Sequence, residues 1–426
     1  MQICLYEDRG VANLEPLTLT RPVFDLLCGQ TALASKQCRW FAPCQVGVLV
    51  RPYLADLVRQ QQPTLPVNDL HWLRGQPTVL VNGRWLPPPG AAFNLNGPGV
   101  AMIGDEVAYA VVNPELLTYC SLHTLEDCLE KWKTQLPRHP AGGRFIRYLW
   151  ELVELNAEQL RLDFQQAAAR KKGDQRPERL AVVGSAAQLL IDPTAHLDPL
   201  VVADTRSGPV VIDAEAVVTA FSRLEGPCYI GPGTQVFGAK IRGGTTLGPQ
   251  CRIGGEVEAS IVQGHSNKYH DGFLGHSYVG EWVNLGAGTH NSDLRNDYGE
   301  VTVVLHGTPV ATGLKKVGCF LGDHTKTGLG TLLNTGTSVG IFCNLLPAGR
   351  YAPKYVPSFC NWWNGSLAEG FDLERLLHTA SEAMRRRDIP LTAAHADLYR
   401  HLHEQTALER QRALQEASRR QLRRSA

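Results

Sequence analysis

Between Leu321 and Leu345 a side chain suited to a core recurs at every sixth position: Leu321, Thr327, Leu333, Val339 and Leu345. The same step separates Ile230 from Val236 and Leu247 from Ile253. Units such as Ile230-Gly231-Pro232-Gly233-Thr234-Gln235, Ile191-Asp192-Pro193-Thr194-Ala195 and Ile212-Asp213-Ala214-Glu215-Ala216 share its form. Neither the 3.6 period of a helix nor the period of two of a half-buried strand produces a step of six. It suits one flat side of a coiled β-solenoid, where one side chain per side points inward and three sides close a turn. Glycine, asparagine and proline collect at the corners because the chain bends tightly there. The stretch Tyr229–Asn344 therefore predicts a stacked coil, and the rest of the chain reads as attached to it.

Residues 1–140 have a different texture. Short apolar runs at Met1–Tyr6, Val46–Val50, Thr78–Asn82, Val100–Ile103 and Val107–Val112 predict strands. Thr31–Phe41 and Tyr53–Gln62 predict helices between them, which implies an α/β, Rossmann-like domain with a mostly parallel sheet. Ligands bind such sheets beyond the carboxyl ends of the strands. Helical periodicity returns at Leu122–Gln135 and Arg144–Ala169. The charged run Lys171–Pro177 ends that helix and reads as a solvated linker.

Composition narrows the functional classes. Over 426 residues, 43% are hydrophobic and the formal net charge is +1, which favours neither nucleic acid nor an anionic membrane as a partner. No apolar run reaches membrane-spanning length and no leader is apparent at Met1, so a cytoplasmic protein is expected. The eleven cysteines show no C-x-x-C pair and read as reduced, mostly buried thiols.

Between Ile261 and Val279 the six-residue step breaks down, which predicts a loop interrupting the coil. It carries His265, Asn267, Lys268, Tyr269, His270, Asp271 and His276, and histidine is the side chain best poised to take a proton near neutral pH. His265, His276 and His290 read as structural; Asp271 either orients an imidazole or caps a turn.

The six-residue units resemble the hexapeptide-repeat acyltransferases, which implies a left-handed parallel β-helix assembled as a homotrimer. His270-Asp271-Gly272-Phe273-Leu274-Gly275, followed by Asn284-Leu285-Gly286-Ala287-Gly288-Thr289, resembles the acetyltransferase half of the bifunctional UDP-N-acetylglucosamine pyrophosphorylase / glucosamine-1-phosphate N-acetyltransferase family. By that resemblance His270 is the general base, Asn284 binds the sugar, and Phe273 stands where the family has a tyrosine. Lys268, Arg295 and Lys315 are expected at the sugar phosphate or coenzyme, with backbone N–H groups of Gly286, Ala287 and Gly288 facing the oxyanion. Acetyl-CoA is the implied co-substrate.

Leu14–Pro22 resembles the segment after the glycine-rich signature of sugar nucleotidyltransferases, although only Gly10 precedes it. Arg9, Arg21 and Lys36 are the cations left to meet a nucleotide. Where those enzymes end a strand in Gly-Asp to hold magnesium, this chain reads Asn82-Gly83-Arg84, leaving Asp105 as the alternative Mg2+ ligand.

The expected organisation is a nucleotidyltransferase-like domain at 1–140, a helical linker at 141–179, the β-helix acyltransferase domain at 180–350, and an aromatic cap with a helical tail at 351–426. The cap gathers Tyr351, Tyr355, Phe359, Trp362 and Trp363, and the tail helices span Phe371–Arg387 and Ala393–Arg424. The expected function is acetyl transfer to glucosamine 1-phosphate, joined to a nucleotidyltransferase-like domain, in UDP-N-acetylglucosamine synthesis. The alternatives are a nucleotidyltransferase of other sugar specificity whose β-helix serves assembly, and a non-catalytic sugar-nucleotide-binding trimer.

Overall fold

The computed structural model describes residues 2–41, 44–90, 97–168, 180–347 and 349–425; the charged run Lys171–Pro177 lies outside them. The N-terminal sheet holds β1 (Gln2–Tyr6), β2 (Gln45–Leu49), β3 (Thr78–Asn82), β4 (Gly99–Ile103), β5 (Glu106–Val112) and β6 (Arg138–Pro140), in the order β2-β1-β3-β5-β4-β6. β1 runs parallel to β2 and β3, but β5 is antiparallel to both β3 and β4. The reversal follows from the tight turn Gly104-Asp105, where Gly104 has φ +58°. Every residue of β1 and β3 is buried, as a sheet covered on both faces requires. Helices α1 (Leu33–Trp40), α2 (Ala55–Gln61) and α3 (Leu125–Gln135) lie close to their expected spans.

Helix α4 (Leu149–Ala168) packs on two partners at once. Leu149, Leu152 and Val153 join the N-terminal core, while Leu160 and Phe164 pack on Val211 and Tyr229 of the coil. Asn156 ties the seam, accepting from Gly29 N–H at 2.6 Å and donating to Gly244 O at 2.8 Å.

From Ala181 to Trp363 the chain winds as a parallel β-solenoid. One inward ladder runs Ile212, Ile230, Leu247, Val262, Val279, Leu321, Val339 and Val356. Each is essentially excluded from solvent, worth about 1.5–3 kcal/mol of transfer free energy.

Two expectations are corrected here. Val262 pairs with Val279 one turn later, so Ile261–Val279 is a regular turn and no insertion. The six-residue step appeared to fail because an inward position on the adjoining side is Lys268, between Ile253 and Leu285, where neighbouring turns carry aliphatic residues. The real excursion lies between Asn291 and Cys319, and contains the hairpin β7 (Thr302–Leu305) with β8 (Thr308–Ala311). Its Val301, Val303 and Leu305 join the same core as Leu14 and Leu17 of the N-terminal domain. The coil also continues past Gly349: Tyr355–Val356 and Cys360–Trp363 pair as further strands, and Ser366–Glu369 closes the last one antiparallel. Tyr355 and Trp362 thus belong to the wall rather than to a lid.

Helices α5 (Leu373–Arg385), α6 (Ala393–Gln405) and α7 (Ala407–Ser425) follow. Leu398, Tyr399 and Leu402 of α6 are buried in the core that also holds Phe342 and Phe359 of the coil and Leu57 of α2. The tail therefore clamps the two larger units together.

Candidate functional site

The side of the coil facing α5 is polar. Its outward ladder reads Arg252, Asn267, Asn284, Lys326, Asn344 and Asn361 on successive turns. Asn267 donates to Asn284 Oδ1 at 3.3 Å, and Asn284 is exposed. The same side ends in a corner at Tyr269–Gly272. His270 and Asp271 are exposed there, and the Tyr269 ring stands edge-on to the imidazole with centroids 5.0 Å apart. Asp271 O accepts from Gly288 N–H at 2.9 Å, so the His270 corner stacks directly on the Gly286–Gly288 corner. The structure thus gathers His270, Asn284 and Gly286–Gly288 in neighbouring turns.

The stacking consumes part of the expected oxyanion hole. Gly288 N–H is spent on Asp271 O, and Gly286 N–H on Thr327 O at 3.2 Å and Thr327 Oγ1 at 3.0 Å. Ala287 is left as the remaining amide of the three. Phe273 is half-buried, and its N–H donates to His290 Nδ1 at 3.1 Å. His276 Nδ1 lies 2.7 Å from Asp293 Oδ2, and Asn291 exchanges two hydrogen bonds with Gly275. Burial opposes ionisation of Asp293, but the His276 hydrogen bond and the Lys316 charge hold its carboxyl below the usual range.

Lys268 is not placed to bind substrate. It is buried inside the coil, donating to Gly254 O at 2.8 Å and His270 O at 3.2 Å. Burial pushes its ammonium down to about 8, although Asp271 and Glu256 pull the other way. A Cβ on Gly255 would stand 2.6 Å from Nζ, so glycine makes the space for it. Arg295 is engaged by Asp297 at 2.8 Å, while Lys315 is exposed at the foot of the excursion.

The N-terminal cations are committed elsewhere. Arg9 is exposed and pairs with Glu126. Lys36 is buried against Asp163 at 2.6 Å. Arg21 is buried at the join with the coil, holding Asp323 at 2.6 and 3.2 Å and Glu281 at 3.1 Å. The Arg21 and Lys36 side chains are thus spent on carboxylates that lie more than a hundred residues away in sequence. Arg21 holds the Glu281 carboxyl well below the usual range against the effect of its burial.

At the carboxyl ends of β1 and β3, Arg84 grips Asp8 at 2.7 and 2.6 Å and Glu106 at 2.9 Å. Its guanidinium covers Gly10, whose added Cβ would lie 2.4 Å from Cζ. Asp105 sits in the exposed β4–β5 turn, with its carbonyl accepting from Lys133. Among the described residues no group of three or more His, Cys, Asp or Glu is arranged to hold a metal ion, and the nearby carboxylates are neutralised by Arg84. The residues present do not fit Mg2+.

Sequence reasoning missed Arg252, Lys326 and Arg387 beside Asn284. Lys326 was recoverable, because Thr327 lies on the six-residue step and its neighbour must point outward. Arg387 follows α5, and no local pattern ties it to the coil.

The protein thus pairs an α/β domain with a parallel β-solenoid that carries an exposed histidine at one corner. Residues 3–172 match the family model for sugar nucleotidyl transferase. A bifunctional sugar-1-phosphate nucleotidylyltransferase/acetyltransferase of Sulfurisphaera tokodaii is 34% identical over 109 residues, 25% of this chain and 27% of that protein. The bifunctional protein GlmU of Gloeothece citriformis is 31% identical over 156 residues (36% and 29%), and that of Methanococcus vannielii 34% over 104 (24% and 25%). The chain is related to these bifunctional proteins, and the matched segments span between a quarter and a third of their length. A solved UDP-N-acetylglucosamine acyltransferase of Francisella novicida matches with TM-score 0.23 and 12% identity over 50% of this chain and 73% of that one, too slight a likeness to build on. No helix among the described residues is long and apolar enough to cross a membrane.

Proposed function

We propose that the coil transfers an acetyl group from acetyl-CoA to the amine of a sugar phosphate, with glucosamine 1-phosphate as the acceptor. The observation that carries this reading is the exposed His270 corner stacked on Gly286–Gly288, one turn from Asn284. His270 takes a proton from the sugar ammonium as the amine attacks the thioester carbonyl; the thiolate leaves and is protonated. Ala287 N–H is the amide left to meet the oxyanion, and Asn284 holds a sugar hydroxyl. Arg295 and Lys315 lie on the excursion and meet the acyl donor or a neighbouring subunit. Assembly as a homotrimer is supported by large apolar side chains exposed along the prism edge that carries His270: Leu200, Phe221 and Leu329 are 62%, 76% and 74% exposed. The expected setting is the cytoplasm.

The N-terminal domain serves docking in this reading. Arg84 closes the strand ends where a nucleotide and metal would bind, so uridylyl transfer is absent. The test is an assay of free thiol release from acetyl-CoA with glucosamine 1-phosphate. Wild type turns over and His270→Ala loses about a hundred-fold or more in kcat; acetylation unaffected by His270→Ala refutes the assignment. Pyrophosphate release from UTP and N-acetylglucosamine 1-phosphate with magnesium is expected to be undetectable.

A further inference from the structure

The groove between the coil and the end of α5 collects positive charge. Arg387 donates from Nη2 to Asn267 Oδ1 at 2.8 Å and from Nε toward Gln250 O at 3.4 Å. Asn267 is the cross-strand neighbour of Arg252 below and is bridged to Asn284 above, and Asn284 is bridged to Lys326. Arg252 and Arg387 therefore flank Asn267, with Arg386 adjoining, while the Lys326 ammonium on the turn beyond Asn284 donates to His324 O at 3.0 Å. Among the described residues the three arginines are hydrogen-bonded to neutral oxygens or to none, and no carboxylate pairs with them. Burial, and then the like charges of Arg252 and Arg386, hold Arg387 below its usual value; burial alone pushes Lys326 down to about 8. Like charges held together in a partly desolvated groove raise the free energy of the empty site, which an anion relieves. Asparagine amides add neutral donors of the kind that accompany bound phosphate.

We propose that this groove binds the phosphate of a phosphorylated ligand, with Arg252 and Arg387 as its charged donors and Asn267 and Asn284 between them. The proposal rests on the acetyl-transfer reading only for the identity of the ligand. Asn267 lies three residues before His270, on the strand Asn267–Lys268 that leads into the His270 corner, a span of at most about 10 Å. Two sources share the required chemistry: the acceptor sugar phosphate and the phosphates of coenzyme A.

Isothermal titration with coenzyme A and with glucosamine 1-phosphate, on wild type, Arg252→Gln, Arg387→Gln and the double variant, separates them. At least one ligand is expected to lose about ten-fold or more in affinity in each single variant, and that ligand is the occupant. The wild-type affinity for it falls as salt rises, while residual binding to the double variant does not. Arg387→Lys retains part of the affinity, which a loss of fold would not allow, and thermal unfolding checks that every variant is folded. Both ligands bound as by wild type, or neither bound by wild type, overturns the proposal. Arginine-dependent binding without turnover leaves the groove standing and refutes acetyl transfer alone.

Discussion

Arg21→Met tests the interface between the two large units. Arg21 reaches Asp323 through two contacts, Glu281 through one and Leu17 O at 3.3 Å, with its side chain 9% and that of Asp323 4% exposed. Methionine keeps most of the stem volume but leaves two carboxylates facing each other at the join, Asp323 buried and Glu281 28% exposed. Removing one partner of a buried pair costs about 3–5 kcal/mol. Asp323 keeps the Thr20 hydroxyl at 2.7 Å and the Glu281 N–H at 2.8 Å, which places the loss near the lower end, about 3 kcal/mol. Urea unfolding followed by tryptophan fluorescence measures it, since Trp150 and Trp282 lie close to the join. The double variant Arg21→Met/Asp323→Asn removes the more deeply buried of the two stranded charges and is expected to recover more than half of the loss. A single variant within about 1 kcal/mol of wild type, or a double variant no better than the single, refutes the clamp. So does loss of nucleotide binding with stability intact, which would return Arg21 to a phosphate role.

Three further outcomes follow from the same geometry. Lys268 titrates near 8 when folded and near 10.5 otherwise, so between those values the unfolded chain holds a proton that the folded chain lacks, and wild type gains up to about 3 kcal/mol as pH rises. Lys268→Met lacks that gain, and a variant-minus-wild-type difference that stays constant from pH 7 to 10.5 would contradict a buried ammonium. His306 is raised to about 9 by the Glu409 carboxylate 3.7 Å from its Nδ1 and by Glu15, against burial, so its contribution is complete below about 6.5 and gone above 9; His306→Gln and wild type should converge in thermal stability at high pH. Gly10→Ala drives a methyl group into Arg84, and is expected to lose about 1–3 kcal/mol in chemical denaturation; an unchanged midpoint means Arg84 does not lie over Gly10.

The spacing Leu321-Thr327-Leu333-Val339-Leu345 determined the coil by itself, because a solenoid side is a local repeat and needs no distant partner to declare itself. The strands Gln2–Tyr6, Gln45–Leu49 and Thr78–Asn82 were legible for the same reason: β-branched runs bounded by turns. The motif around His270 and Asn284 likewise lay within a few dozen residues, so its members were nameable from the chain. Tertiary structure alone decided where charge goes. Lys268 looked like a ligand-binding lysine until the coil turned it inward onto Gly254 O. Arg21 and Lys36 were spent on Asp323 and Asp163, and Arg387 was brought to Asn267 from the far end of the chain. Periodicity reports which way a side chain faces relative to its neighbours in sequence. Whether a cation is buried, paired or free depends on what packs against it, and for Arg21, Lys36 and Arg387 those partners lie more than a hundred residues away.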